Sequence, residues 1–180
     1  APGTAVTATV DWERRHALMR THTALHTLCG VVWRDYGAQV TGGNMEPGGG
    51  RMDFEFESMS GELVGEIEAK AESLLDQSVG RAEKLLEGSP KLPEGRVLLS
   101  AALVARADLN RDEAPGKAKS DMDRASDTLE NLVTDFPATP EYRQQQAALL
   151  VSLANFHLAQ GDPAQAEATL DRALSVREDL

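Results

Sequence analysis

Between Asp11 and about Tyr36, the residues Leu18, His22, Leu25, Cys29, Val32 and Tyr36 recur at alternating steps of four and three, which places them on one face of an amphipathic helix. His26 lies one turn beyond His22 on nearly the same line. Further along the period falls to two. In RMDFEFES, Met52, Phe54 and Phe56 alternate with Asp53, Glu55 and Glu57, the pattern of a half-buried strand. AQVTGG precedes it, and NMEPGGG is expected to join the two into a hairpin. GELVGEIEAKAESLLDQS, residues 61–78, then reads as unbroken helix. The pattern therefore predicts an α+β amino-terminal half: a helix on an antiparallel hairpin, followed by a second helix.

The carboxy-terminal half is built differently. Ser89-Pro90-Lys91-Leu92-Pro93-Glu94-Gly95-Arg96 returns 47 residues later as Phe136-Pro137-Ala138-Thr139-Pro140-Glu141-Tyr142-Arg143, with the shared frame x-P-x-x-P-E-x-R. Asp123-Arg124-Ala125, with Glu130 and Leu132, returns 48 residues on as Asp171-Arg172-Ala173, with Glu178 and Leu180. Such self-similarity marks a helical repeat, in which each helix pair needs a neighbour to bury its apolar face. Four helices are expected, at about 94–108, 119–134, 141–160 and 163–178. DLNRDEAPGKAKS forms a long polar connection between the first two. Gly161-Asp162-Pro163 supplies a helix stop, an N-cap and a first helical residue in the order the backbone requires. The spacing of Leu150, Leu153, Ala154 and His157 before that turn, and of Ala166, Leu170 and Ala173 after it, resembles the tetratricopeptide repeat. The proline-rich linkers, PEYR and RALSVREDL are similar to the degenerate repeats that large bacterial proteins place beside signalling domains. That resemblance covers about residues 75–180 and implies a protein or peptide partner. His157 falls on an apolar helix face and reads as a core or flank residue. With about two repeats where roughly three are needed for stability, and the pattern still running at Leu180, this half is expected to be cut from something longer. The join between the halves is expected within 61–78, giving an amino-terminal domain over 1–72 and repeats over 73–180.

Charge narrows the function classes. A net charge of −11 over 180 residues disfavours a general nucleic-acid-coating surface or a DNA-binding role, because sequence-independent binding draws on Lys and Arg neutralising phosphates. Any RNA contact has to be local. With 41% hydrophobic and 26% charged residues the chain has the mix of a soluble globular protein. It has no apolar run of the ~20 residues that cross a bilayer and no basic-then-apolar leader, so a cytoplasmic protein without a membrane partner is expected. The single cysteine rules out an internal disulfide.

The most pointed chemistry lies in THTALHTLCG, residues 21–30. Histidines at i and i+4 on a helix can aim two imidazoles at one metal ion, as zinc sites use them. Cys29 is three residues beyond His26, but three ligands from one straight helix converge poorly on a tetrahedral ion, and Cys29 also fits the apolar stripe. The surrounding residues sharpen the reading. VDWERRHALMRTHTALHTLCGVV, followed by GAQVTGGNMEP and RMDFEFE, resembles the AlaX-type alanyl-tRNA editing proteins over about residues 5–70, and more distantly the editing domains of alanyl- and threonyl-tRNA synthetases. The resemblance implies zinc as cofactor, His22 and His26 as metal ligands, alanine-specific tRNA as partner, and hydrolysis of the ester that joins a wrong serine or glycine to that tRNA. Thr23 and Thr41 become candidates for contact with substrate hydroxyls. Thr41, Gly42, Gly43 and Asn44 form a turn on which the aminoacylated RNA end can approach backbone closely. The family completes its metal site with a Cys-x-x-x-His motif, and none follows Phe56 in this chain. The chain is also expected to begin inside a strand, so about half the family fold is represented.

Two function classes follow. One is a truncated or diverged zinc-dependent editing hydrolase with an appended interaction segment. The other is a non-catalytic tetratricopeptide-like scaffold whose amino-terminal part is a packing remnant. A third possibility cuts across both: that the chain joins two unrelated fragments in an artificial or mispredicted fusion.

Overall fold

The computed structural model describes residues 10–178, with the side chains of Trp12, Glu13 and His16 left aside. The strand expected at the amino-terminal edge, and Leu180 of the second repeat match, lie outside the described residues. The chain divides between Ala71 and Glu72 into two compact units.

In the first unit, α1 (Trp12–Tyr36) is followed by β1 (Val40–Glu46) and β2 (Gly49–Phe54), an antiparallel pair. Asp11 caps α1 by accepting the Arg14 N–H at 3.0 Å. The hairpin is tighter than NMEPGGG suggested. Asn44, Met45 and Glu46 belong to β1, Gly49 and Gly50 to β2, and Pro47-Gly48 alone turn the chain. Pro47 suits the first turn position, and Gly48 takes the positive φ of 79° that the second demands. The register slips between Val40 and Gly42, leaving Thr41 as the extra residue of a bulge. Met52, Phe54 and Phe56 are half-buried while Glu55 and Glu57 are exposed, but the strand ends at Phe54.

The buried stripe of α1 differs from the expected one at a single place. Leu18, Leu25, Cys29, Val32 and Tyr36 all turn inward to some degree, whereas His22 is exposed and its neighbour Thr21 is buried. At 100° per residue Thr21 falls beside Leu18 and Leu25, and His22 falls on the edge of the stripe. Among the described residues, Val31, Val32, Ala38 and Ile67 are the buried apolar residues of this unit. Ile67 belongs to α2 (Gly61–Gly88), within which the division between the units falls.

In the second unit the rest of α2 is followed by α3 (Pro93–Leu109), α4 (Pro115–Asp135), α5 (Pro140–Ala159) and α6 (Pro163–Glu178). Pro93 and Pro140, the matching prolines of the repeated frame, each open a helix, where a missing N–H costs nothing. Pro115 does the same, so α4 starts at residue 115 and the long polar connection shrinks to residues 110–114. Gly161 (φ 76°) ends α5 in a Schellman turn, with the Asp162 N–H on the His157 carbonyl and the Gly161 N–H on that of Leu158. Asp162 then caps α6 through Gln165 N–H at 3.0 Å. Consecutive helices pack around Leu103, Met122, Leu132 and Phe156, and α2 contributes Val79 and Ala82 to the same core. His157 is half-buried, edge-on to Phe156. Inside this core Arg106 bridges the buried Asp121 with two 2.7 Å bonds and reaches Asp76 with a third.

Candidate metal site

His22 and His26 lie one helical turn apart on α1 with their Nε2 atoms 2.8 Å from each other and ring centroids 4.5 Å apart. At that distance an Nε2–H of one ring donates to the bare Nε2 of the other. Two nitrogens bound at about 2.0–2.1 Å to one tetrahedral zinc stand about 3.3 Å apart, so a small ring rotation turns the hydrogen-bonded pair into two ligand corners. Both rings are exposed.

The pair lines an open depression of about 390 Å³, together with Leu25 of the same helix, Gly42, Gly43 and Asn44 of β1 and Met52 of β2. Three of the five proposed substrate contacts thus come together with the two histidines. Thr41 and Thr23 do not line it. Thr41 occupies the bulge, and the Thr23 hydroxyl donates to the Met19 carbonyl of its own helix at 3.1 Å. Gly43 has a packing reason as well: a Cβ there would stand 2.5 Å from the Arg51 carbonyl oxygen across the hairpin. Cys29 points at Met52, Sγ to Sδ 3.3 Å, and desolvation pushes its thiol pKa up, which keeps the sulfur protonated and apolar.

Among the described residues no group of three or more His, Cys, Asp and Glu side chains converges. The two imidazoles therefore fit adjacent corners of a zinc site, and the described residues offer no third ligand. A catalytic zinc takes three protein ligands and one open position, and this pair supplies two of the three.

The hairpin is held over the helix by a residue that spacing did not single out. Thr21 Oγ1 accepts the Gly48 N–H at 3.1 Å and lies 3.1 Å from both the Glu46 and Ala17 carbonyls, to which its single proton is directed. A threonine on the line of Leu18 and Leu25 was the available signal, because a polar group on a buried stripe needs a partner from outside its helix.

Comparison with known proteins finds relatives for part of the chain. A stretch of 53 residues is 42% identical to the alanyl-tRNA editing protein AlaX-M of Saccharolobus solfataricus, covering 29% of this chain and 22% of that protein. The Methanosarcina mazei AlaX-M is 34% identical over 76 residues, 42% of this chain and 30% of the relative. An alanine–tRNA ligase of Methanococcus maripaludis is 40% identical over 76 residues, 41% of this chain and 8% of the ligase. No family model and no solved structure matches the chain. The chain thus spans less than a third of the length of these curated relatives.

Proposed function

We propose that the amino-terminal unit carries one half of the metal site of a zinc-dependent hydrolase acting on mischarged, seryl or glycyl, alanine-specific tRNA. The observation that carries this reading is the convergence of the His22 and His26 Nε2 atoms above the Gly42-Gly43-Asn44 edge, in a segment similar to alanyl-tRNA editing proteins. When bound, zinc would hold the substrate amine or a water beside the ester carbonyl. The chain's own contribution is positional. His22 and His26 present two ring nitrogens from one helix, and Leu25 and Met52 add apolar lining beside the backbone of Gly42, Gly43 and Asn44, against which an aminoacyl group would lie. Thr23 and Thr41 flank this arrangement at greater remove.

The second unit supports an accompanying reading, a tetratricopeptide-like module that binds a protein or peptide. Its support is the repeated x-P-x-x-P-E-x-R frame, which starts α3 and α5 alike, and the pairing of consecutive helices.

Deacylation of seryl-tRNA specific for alanine by the full chain, with zinc added, tests the hydrolase. Activity that rises with zinc and is lost in a His22→Ala/His26→Ala variant is expected. Activity indifferent to that variant rejects the mechanism, and no activity at saturating zinc leaves the non-catalytic scaffold as the reading.

A further inference from the structure

Helix α3 turns an apolar side to solvent. From Val97 to Ala105, between Arg96 and Arg106, it carries no charged residue. Leu99, Ser100, Leu103 and Ala107 are its buried positions in the core of the second unit. On the opposite side Leu98 is 57% exposed and Leu109 42%, with Ala101 and Ala105 exposed between them. At 100° per residue these four fall within an arc of about 80° that faces away from Leu103. Leu85 of α2, 43% exposed, widens the strip: its Cδ2 lies 3.4 Å from where a Cβ on Gly95 would stand, one turn before Leu98. A helix that is apolar on every side is ordinarily covered on every side.

The internal repeat bears on the same face. The shift of 47 residues that carries Pro93 to Pro140 carries Leu98, Ala102, Ala105 and Leu109 to Gln145, Leu149, Ser152 and Phe156. Leu149, Ser152 and Phe156 are buried, and Gln145 is half-buried. The face that α5 covers is therefore open on α3, where it is the more apolar of the two.

The spacing of the open face identifies its cover. Leu98, Ala102, Ala105 and Leu109 follow one another at steps of four, three and four, the interval of a short heptad seam. The order reads the same in both directions, leucine at each end and alanine at each inner position. An interface built on a two-fold axis needs such a self-complementary patch. We infer that α3 pairs with α3 of a second copy of this chain, antiparallel, with Leu98 against Leu109 of the other copy and Ala102 against Ala105. The alanines at the crossing let the two helices approach closely, and no charge has to be desolvated along the seam. About three turns of helix make a small interface, so the dimer is reversible.

Sedimentation equilibrium of the full chain over a concentration series should show the 19.4 kDa species passing to twice that mass. Leu98→Glu, at a position open to solvent in the single chain, should hold the mass at one chain with the helical circular dichroism unchanged, because it sets a carboxylate inside an apolar seam. Cross-linking in a Cys29→Ala background reads the register without a disruptive variant. Leu98→Cys and Leu109→Cys chains mixed in equal amounts should form a disulfide-linked dimer, and either chain alone should form far less. In the antiparallel pair the two copies of position 98 stand about 16 Å apart along the axis, whereas a disulfide needs its Cα atoms within about 7 Å. The mass of one chain at every concentration, a dimer undiminished by Leu98→Glu, or single-cysteine chains that cross-link as well as the mixture overturns the inference.

Discussion

Thr21 and Gly48 are joined by a hydrogen bond 3.1 Å long, from the turn N–H of the hairpin to a hydroxyl buried on helix α1. It ties the one turn of the hairpin to the helix that carries both histidines, and the same hydroxyl reaches the Glu46 carbonyl on the other side of the turn. This contact fixes the turn of the hairpin against the helix that bears His22 and His26.

Thr21→Val should therefore cost more than a surface change. It keeps the shape of the side chain but leaves the Gly48 N–H and the Glu46 carbonyl without their partner, a loss of about 1–3 kcal/mol. Thr21→Ser should recover most of it. Urea unfolding followed through the near-ultraviolet signal of the first unit reads the difference; equal stability of the valine and serine variants would remove Thr21 from this role.

Gly43→Ala is expected to disrupt the hairpin, since the added methyl would meet a backbone carbonyl at 2.5 Å that cannot rotate away. Overpacking of this kind costs about 1–3 kcal/mol. Hydrogen exchange of the β1 and β2 amides measures it, and protection matching the parent would show that the strands can part at no cost.

The second unit offers a sharper electrostatic test. Arg106 and Asp121 are nearly buried, at 13% and 4% side-chain exposure, and bonding to Asp121 raises the already high pKa of the guanidinium. Arg106→Met should destabilise by about 3–5 kcal/mol, because it strands a buried carboxylate. Arg106→Met/Asp121→Met should restore much of the loss. Thermal melts of the two variants decide it, and a double variant no more stable than the single one would contradict the account.

Acid should weaken the same unit through Asp135. The Arg96 guanidinium, with Lys91 adding to it, holds the Asp135 carboxyl below the ordinary carboxylate range. A carboxyl whose folded pKa is depressed stabilises the fold above its unfolded value of about 3.9 and loses that contribution as pH falls through the lower folded value. Arg96→Met should flatten the dependence of stability on pH below that point, and an acid limb as steep as the parent's would show that the pair contributes nothing.

Much of this was legible in the residues. Periodicity placed α1, the paired strands and the repeated helix starts at Pro93 and Pro140, because each is written in a local pattern of apolar spacing or backbone restriction. The early start of α4 was not, since Pro115 and Gly116 read as a loop until the helix continues through them. The site was half legible. His22 and His26 are placed by helical spacing alone, and their convergence follows from it. The role of Thr21 depends on how the hairpin lies across α1, a tertiary relation that a one-dimensional pattern does not carry.

The most direct test of the central claim is nitrogen-15 NMR of the histidine rings in the full chain during a zinc titration. Without zinc, one of His22 and His26 should carry its proton on Nε2 and share it with the other. Zinc should convert both to the tautomer protonated on Nδ1, with both Nε2 signals moving together and saturably, and either His22→Ala or His26→Ala should abolish the change. Histidine signals that ignore zinc, or a response that survives those substitutions, would contradict the assignment of this pair as metal ligands.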